Sequence, residues 1–513
     1  MTGSLAEIRR EKGQAQGLSP EICRRGWWED ERVNGLTGSD VDALREAFTV
    51  AGYTVEGVAG RLGPQANGAL ARNETTLAGR RTSSGDPLDT IIRLFLLQHD
   101  VPESLALRAF PGIDLVALGI IAVDGGSARA RLDIRPYAED DRQWWVIADL
   151  TPGLDGRREP MRSDYALGIS SASLSLVNLT VPIKAERALD IGTGSGIQSL
   201  HLSNRVNQVV ATDVNPRALR LARWTGALNR IELDVREGSL FEPVRGERFD
   251  LIVSNPPYVI SPPGDDQLTY RETGFAGDSL VEQLVRQAPD HLTEGGWCQL
   301  LANWTYVRGE DWRDRIAAWT GDRSAWAVQR EQLDPSEYVE LWLRDAGAPG
   351  TPSYTSQYDA WMRWLDAQDV EAIGMGWITL HNVAGTLDAE EWPYEIEQPI
   401  GPHLLHRFER AEGTPADLTG LHLVVADDVI QETTGRPGAE DPAAIVLRRQ
   451  RGMRRAEQVD TVLAGFVGAC DGDLTVGQIL AALADLLDRP VVEVLQDYLP
   501  QIRRLVVEGF LDY

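Results

Sequence analysis

Hydrophobic spacing in the first third of the chain predicts helices followed by a hairpin. From Ser39, a capping residue, the segment SDVDALREAFTVAG has apolar residues at helical intervals, at positions 41, 44, 47 and 48. Apolar residues at similar intervals follow Asp86-Pro87, and residues 115–137 then alternate and break at Gly125-Gly126, which is typical of a hairpin. The pattern predicts a winged-helix-like module that ends near Leu150, either a packing domain or one that recruits substrate.

Between about 160 and 385, short apolar runs alternate with helical stretches such as ALRLARWTGALN (218–229). This alternation is typical of α/β proteins with a doubly wound parallel sheet. The expected strands are RALDI (187–191), QVVATD (208–213), FDLIVS (249–254), WCQLLA (297–302), AWAVQR (325–330) and IGMGWITL (373–380). The middle of the chain is therefore predicted to be a Rossmann-like sheet.

One later helix is well marked by its first residues. Asp334 is a suitable N-cap, Pro335 suits the first helical position, and Glu337 completes a pattern resembling a capping box. We expect the apolar face of this helix to use residues 338, 341 and 342.

The last fifty residues regain clear periodicity after a looser, acidic stretch. LTVGQILAALADLL and VVEVLQDYLPQIRRLVVEGFLDY predict two helices and a terminal strand, again like a winged helix. A basic run of arginines lies just before them in the sequence and comprises Arg448, Arg449, Arg451, Arg454 and Arg455. Two interpretations of this run are possible: a solvated helix face, or a surface that contacts RNA or an acidic partner.

These patterns divide the 513 residues into three predicted domains. A helical, winged-helix-like module is predicted for residues 1–155, and an α/β domain with a Rossmann-like sheet for residues 160–385. An α+β module that ends in a winged-helix-like segment is predicted for residues 386–513. Residues 1 to about 35 are polar apart from Trp27-Trp28, and we expect them to be loosely ordered.

Composition indicates a folded protein of the cytoplasm. The hydrophobic fraction is 43% and the charged fraction 25%, both ordinary, and no signal peptide or membrane-spanning run is apparent. The cysteines at 23, 298 and 470 lie far apart, which argues against a zinc site or a disulfide framework. His403 and His406 lie three residues apart; without a further nearby ligand we predict no metal there and interpret them as surface or packed histidines.

Net charge, at −27, weakly disfavours nucleic acid as the main partner because an acidic protein repels phosphates at long range.

The chemistry-bearing residues begin in a glycine-rich turn between a predicted strand and helix. Asp190 precedes the spacing Gly192, Thr193, Gly194, Ser195 and Gly196. Glycine there lets the backbone approach a ligand closely, and Asp190 can attract the amino group of a cationic ligand or order the turn.

The next predicted strand ends at Asp213, where a carboxylate can accept hydrogen bonds from two ribose hydroxyls. An N-cap for the following helix is the alternative role of Asp213.

Asn255, Pro256, Pro257 and Tyr258 follow the strand FDLIVS, at the sheet edge where α/β proteins bind ligands. The Asn255 side-chain carbonyl and the Pro256 carbonyl can accept the two N–H groups of an amide or aryl amine and hold its lone pair toward a methyl donor. The two prolines stiffen the loop, and Tyr258 can pack flat on a planar group.

DIGTGSG, ATDVNP and SNPPYV, in this order, resemble class I S-adenosylmethionine-dependent methyltransferases of the amino-methylating branch. The longer segments SNPPYVISPP and TGFAGDSLVEQLV are most similar to enzymes that methylate glutamine in the Gly-Gly-Gln loop of translation termination factors. The resemblance covers about residues 165–300.

The resemblance implies S-adenosyl-L-methionine as cofactor, held by Asp190 and the glycine turn through its methionine part and by Asp213 through its ribose. Asn255 to Tyr258 would hold the target nitrogen. Where the family usually has an acid that contacts adenine, this chain has Ser239 and Leu240, which we assign to cofactor binding. The N-terminal module also differs from the helical bundle of bacterial glutamine enzymes.

The leading hypothesis is methylation of a protein glutamine. An RNA base methyltransferase is the alternative, favoured by the flanking modules and the arginine run. A catalytically silent scaffold and a small-molecule N-methyltransferase are the remaining hypotheses.

Overall fold

A computed structural model describes residues 35–139, 141–154, 156, 162–262, 277–346, 348–436 and 442–513. The predictions made for residues 1–34, including Trp27 and Trp28, and for 263–276 lie outside this part of the chain. The chain forms two compact, interleaved units: 1–168, 193–200 and 213–237 belong to the first, and 169–192, 201–212 and 238–513 to the second. The three-domain division drawn from the sequence stays a prediction.

Sixteen α-helices lie within the described residues. They are α1 (Gly38–Ala51), α2 (Val55–Leu70), α3 (Thr76–Arg81), α4 (Pro87–Ile91), α5 (Glu103–Ala109), α6 (Ser171–Leu179), α7 (Ile197–Leu202), α8 (Pro216–Leu228), α9 (Ser279–His291), α10 (Trp312–Thr320), α11 (Pro335–Asp345), α12 (Tyr354–Asp366), α13 (Gly401–Gly413), α14 (Thr461–Gly468), α15 (Val476–Leu486) and α16 (Val491–Val507). None of these helices has the length and apolar character needed to cross a membrane.

The strands of the same residues are β1 (Val101–Pro102), β2 (Ile121–Asp124), β3 (Ser127–Ala130), β4 (Asp133–Glu139), β5 (Arg142–Ala148), β6 (Ala185–Ile191), β7 (Val206–Asp213), β8 (Asp234–Glu237), β9 (Phe249–Ser254), β10 (Leu292–Val307), β11 (Arg323–Leu333), β12 (Val370–Ala384), β13 (Leu387–Glu391), β14 (His422–Val425), β15 (Val429–Thr434), β16 (Ala444–Arg449), β17 (Ala456–Val459), β18 (Asp471–Thr475) and β19 (Leu511–Asp512). All six strands expected in the middle of the chain are present, and most are longer than expected.

The first unit begins with a helix whose cap differs from the prediction. Thr37, and not Ser39, caps α1: its hydroxyl accepts the Asp40 N–H, and the Asp40 carboxylate accepts the Thr37 N–H. The helix ends at Gly52, whose left-handed backbone (φ 69°) lets its N–H reach the carbonyls of the last turn. The predicted hairpin at Gly125-Gly126 is confirmed as β2 and β3.

The N-terminal elements share one apolar core with α8. In this core the rings of Phe48, Phe95 and Phe110 meet edge to face. Polar bonds join α8 to β5 as well: the Thr225 hydroxyl accepts the N–H of Ile147 at 3.1 Å. The N-terminal elements and α8 therefore form one packed body.

The second unit is built on a mixed sheet, in the strand order β13-β11-β12-β10-β9-β6-β7. Neighbours β7, β6, β9 and β10 are parallel, whereas β12 runs antiparallel to both β10 and β11. The expected parallel arrangement is therefore confirmed for β7, β6, β9 and β10 and is wrong for β12. A strand covered on both faces is uniformly apolar whatever its direction, so the composition of β12 carried no sign of its reversal. The fold is α/β with a Rossmann-like sheet.

The predicted start of α11 is confirmed, because Asp334 accepts the N–H groups of Ser336 and Glu337. The predicted apolar face is wrong in part. Leu341 is exposed, and Tyr338, Val339 and Leu343 are the buried residues of the helix.

The C-terminal region contains two three-stranded sheets, β18-β14-β19 and β15-β16-β17. The predicted succession of helix, helix and strand is confirmed as α15, α16 and β19. The basic run is not a helix face: Arg448 and Arg449 end β16, and the other three follow in the turn before β17. Every one of these arginines forms an ion pair with an acidic residue of the chain.

Candidate functional site

Two neighbouring parallel strands of the second unit end at the same edge of the sheet. β6 pairs with β9 in a register that sets Ile191 opposite Ser254. Gly192 and Asn255, which follow these residues, therefore both begin their loops at the carboxyl edge, where α/β sheets bind ligands. The two loops are neighbours, because a Cβ atom on Gly192 would lie at van der Waals distance, 3.9 Å, from the Asn255 carbonyl oxygen.

The glycine turn starts from a buried strand end. Asp190 is fully buried on β6, opposite Ala211 of β7 and Val253 of β9. Gly192 adopts a left-handed backbone (φ 71°), and its N–H donates to the Thr212 carbonyl at 2.8 Å. That geometry explains the glycine at this position.

The remainder of the turn lies in the first unit together with Asp213. The Gly194 N–H donates to Asp213 Oδ2 at 3.0 Å, and the Asn215 N–H donates to Oδ1 at 2.9 Å. Burial raises the pKa of Asp213, and these N–H groups partly oppose that shift. A carboxylate has about four acceptor sites, so Asp213 can still accept a further hydrogen bond.

The alternative role of Asp213 as an N-cap is wrong. Asn215 caps α8, because its side-chain oxygen accepts the Arg217 N–H at 2.9 Å. The carboxylate of Asp213 instead ties the turn at Gly194 to the start of α8.

The last two glycines of the motif differ in their surroundings. Gly194 (φ 56°) has no atom of the described residues within 4 Å of the place a Cβ would take, whereas a Cβ on Gly196 (φ 90°) would lie 3.4 Å from Ala222 Cα. Gly196 thus permits the close packing of α8, and Gly194 faces open space. Beside them, the Thr193 hydroxyl lies 3.2 Å from that of Ser199.

Asn255 presents an acceptor that the fold leaves unused. Its Oδ1 is buried, yet it receives no hydrogen bond from any residue that the structure describes. The neighbouring Pro256 is buried, and Pro257 and Tyr258 are half-buried. Burial, and next the charge of Asp345, raises the pKa of Tyr258, so its ring is neutral at physiological pH.

Helix α11 supports the Asn-Pro-Pro-Tyr loop at two points that the sequence did not reveal. The Tyr338 hydroxyl accepts the Ile260 N–H at 2.8 Å, and the Trp342 ring lies edge-on to Tyr258 with ring centroids 6.4 Å apart. Both aromatic residues were expected on the apolar face of this helix, but no local pattern indicated which loop they would contact.

Ser239 and Leu240 lie in a tight turn of the second unit. Leu240 has a left-handed backbone (φ 50°), and the Glu242 N–H donates to the Ser239 carbonyl at 3.0 Å. The side chain of Leu240 packs against the core between β9 and α9. The assignment of this turn to the cofactor stays a prediction.

Comparison with known families identifies two segments of the chain. Residues 168–308 match the methyltransferase small domain, and residues 50–131 match a domain of unknown function (DUF7059). The first segment contains every residue assigned above to cofactor or substrate.

Relatives of two kinds resemble this chain. A putative protein N5-glutamine methyltransferase of Methanocaldococcus jannaschii is 32% identical over 136 residues, which are 25% of this chain and 68% of that protein. A release factor glutamine methyltransferase of Geobacter sulfurreducens is 36% identical over 22% of this chain and 44% of its own length. The ribosomal RNA small subunit methyltransferase C of Erwinia tasmaniensis is 30% identical over 35% of this chain and 48% of its own.

This chain thus spans less than half of the latter two relatives and about two thirds of the first. The identity and coverage of the Methanocaldococcus protein, together with the matched small domain, show that the chain belongs to the amino-methylating branch of class I methyltransferases, whose methyl donor is S-adenosyl-L-methionine.

Proposed function

We propose that this protein transfers a methyl group from S-adenosyl-L-methionine to the side-chain amide nitrogen of a glutamine in a protein. The buried, unused acceptor Oδ1 of Asn255 carries the proposal. An unsatisfied buried acceptor costs about 1–3 kcal/mol, and a substrate N–H group would remove that cost on binding. Among the described residues no donor competes for this acceptor, so it is open to a substrate N–H group, as catalysis by preorganised polar groups requires.

The residues present fit the cofactor. Gly194 leaves open space beside a left-handed backbone, and Asp213, held by two backbone N–H groups, keeps acceptor capacity for ribose hydroxyls. When bound, S-adenosyl-L-methionine would supply the methyl group of its sulfonium, and breaking of the sulfur–methyl bond would leave the neutral thioether S-adenosylhomocysteine. We assign Asp190, Gly192, Thr193, Gly196, Ser239 and Leu240 to its remaining parts.

The chain's residues would act on the amide as follows. Asn255 Oδ1 accepts one N–H and the Pro256 carbonyl the other, which turns the nitrogen lone pair toward the methyl group. Tyr258 packs on the amide plane. As the nitrogen gains the methyl group it loses one proton, which passes to water.

Charge around the loop favours a protein acceptor over RNA. The helices α11 and α12, the first of which contacts the loop, carry five exposed carboxylates and two exposed guanidiniums, a net charge of −3. The carboxylates are Glu337, Glu340, Asp345, Asp359 and Asp366, and the guanidiniums are Arg344 and Arg363. Such a surface repels phosphates and attracts a basic polypeptide.

An RNA base remains the second candidate. The ribosomal RNA methyltransferase relatives align over more of this chain than the glutamine methyltransferases do. An exocyclic amino group also offers Asn255 and Pro256 two N–H groups on a planar nitrogen. The arginine run gives this candidate no support, because its guanidiniums are already paired within the chain.

The test uses extract from cells that lack the protein, incubated with purified enzyme and S-adenosyl-[methyl-³H]methionine. We expect the label to be lost on protease digestion and to persist through ribonuclease. Asn255→Ala should abolish labelling, whereas Asn382→Ala, which removes an amide that donates to the Thr293 carbonyl on β10, should leave it intact. Label lost only to ribonuclease would refute the glutamine proposal in favour of RNA.

A further inference from the structure

A buried phenol on α11 accepts a hydrogen bond from the backbone just beyond the Asn-Pro-Pro-Tyr loop. Tyr338 is fully buried in the first turn of α11, and its Oη accepts the Ile260 N–H at 2.8 Å, two residues beyond Tyr258. The same oxygen accepts the Asn303 side-chain N–H from β10 at 3.1 Å. Tyr338 therefore links the loop to the sheet and to a capped helix.

The helix that presents Tyr338 is itself fixed at its start. Asp334 accepts two N–H groups of the first turn, and Pro335 presets the first helical backbone angle. Burial raises the pKa of Tyr338 far above its usual range, so the phenol stays neutral. One turn later, the Trp342 ring lies 6.0 Å from the Tyr338 ring and also contacts the Tyr258 ring. Helix α11 thus fixes the loop at both its aromatic residue and its backbone.

We infer that Tyr338 is a positioning residue for methyl transfer, which sets the distance and angle of the Asn255 and Pro256 acceptors through the Ile260 N–H. This inference rests on the proposed role of the loop. It assigns α11 a role in the geometry of the catalytic site. This helix lies between β11 and β12 in the chain, outside the matched small domain. A displacement of about 1 Å at a reacting centre can lower a rate about 100-fold, so one hydrogen bond at this point has a large effect.

The variant Tyr338→Phe keeps the ring and removes the hydrogen bonds of the hydroxyl, including the one from the Ile260 N–H. We expect kcat to fall ~10-fold to ~100-fold, while the cofactor Kd by calorimetry changes by less than about twofold because the loop does not hold the cofactor. In hydrogen exchange with mass spectrometry, the peptide covering 255–262 should exchange faster than in the wild-type protein.

Tyr53→Phe is the matched control, since Tyr53 is equally buried and its hydroxyl donates to the Ile134 carbonyl at 2.7 Å, in the first unit. It should lower the melting temperature by a similar amount and leave kcat unchanged. Equal losses of kcat in both variants, or an unchanged kcat in Tyr338→Phe, would overturn the inference.

The acceptor in both assays is whichever extract fraction the wild-type enzyme labels. Label in RNA instead of protein would contradict the proposed glutamine substrate but not the positioning role of Tyr338. The kcat values of the variants would then be compared on RNA.

Discussion

Asn255→Leu is predicted to separate stability from activity. Leucine has nearly the branched shape of asparagine but no buried acceptor, and Asn255 Oδ1 receives no hydrogen bond from the described residues. Removing an unsatisfied buried acceptor relieves about 1–3 kcal/mol. Part of this gain is offset by the slightly larger volume of leucine, since small overpacking costs about 1 kcal/mol. We therefore expect the free energy of unfolding to rise by up to ~2 kcal/mol, with methyl transfer abolished.

Thermal and urea denaturation of the cofactor-free protein measure this effect, and titration calorimetry checks that the cofactor still binds. Asn303→Leu is the matched control, because Asn303 is also buried but its amide donates to Tyr338 Oη at 3.1 Å. This control should lose about 1–3 kcal/mol, the cost of breaking a buried hydrogen bond. A comparable loss in Asn255→Leu would mean that the amide has structural partners and would refute the preformed acceptor.

Three further predictions concern other residues. Asp213→Ala should raise the cofactor Kd at least ~10-fold in titration calorimetry, since hydrogen bonds to a charged group contribute about 1.5–3 kcal/mol each. An unchanged Kd would exclude Asp213 from the cofactor site. Arg455→Ala should lower the free energy of unfolding by ~1.5–3 kcal/mol in urea denaturation, because it removes one of the two guanidiniums that pair with the buried Glu508 carboxylate, the other being Arg407. The exposed Arg448→Ala should leave the denaturation midpoint unchanged, and equal effects would contradict the assigned burial. Burial, with nearby arginines, lowers the pKa of His403 to about 3, below the ~6.5 of an unfolded chain. Between these two pKa values the unfolded chain binds more protons than the folded chain. The free energy of unfolding should therefore fall as the pH drops from 6.5 toward 3, by up to ~1.4 kcal/mol per pH unit. His403→Gln should reduce this slope, and an identical pH profile in the variant would show that His403 is not responsible.

The strands were predictable because each is a run of apolar residues bounded by polar ones, a local property. Their directions were not, since the reversal of β12 depends on α11 and α12 bringing the chain back beside β10. The capping residue of α1 was misplaced by two positions because Thr37 and Ser39 are both good caps. The choice depends on Asp40, which lies three residues after Thr37 and completes the reciprocal bond.

The arginine run shows why charge patterns along a sequence do not establish a binding surface. Arg449 pairs with Asp428, and Arg455 pairs with Glu390 and Glu508, which lie 21 to 65 positions away in the chain. Arg455 is almost fully buried, and its guanidinium also lies 4.7 Å from the Trp392 ring. Two of the five basic residues, Arg449 and Arg455, are therefore engaged in ion pairs that are largely shielded from solvent.

The candidate site divides in the same way into a local and a non-local part. Gly192 and Asn255 each follow a strand, so their proximity at the strand ends can be expected from the motif order and from the parallel pairing of β6 with β9. Tyr338 lies 78 positions beyond Ile260, and nothing in its own segment distinguishes it from an ordinary core tyrosine. The chemistry of a planar nitrogen can thus be predicted from four consecutive residues. In our proposal, the geometry of the acceptors depends on α11, which lies outside those four residues, and the acidic surface of α11 and α12 favours a polypeptide acceptor over a polyphosphate one.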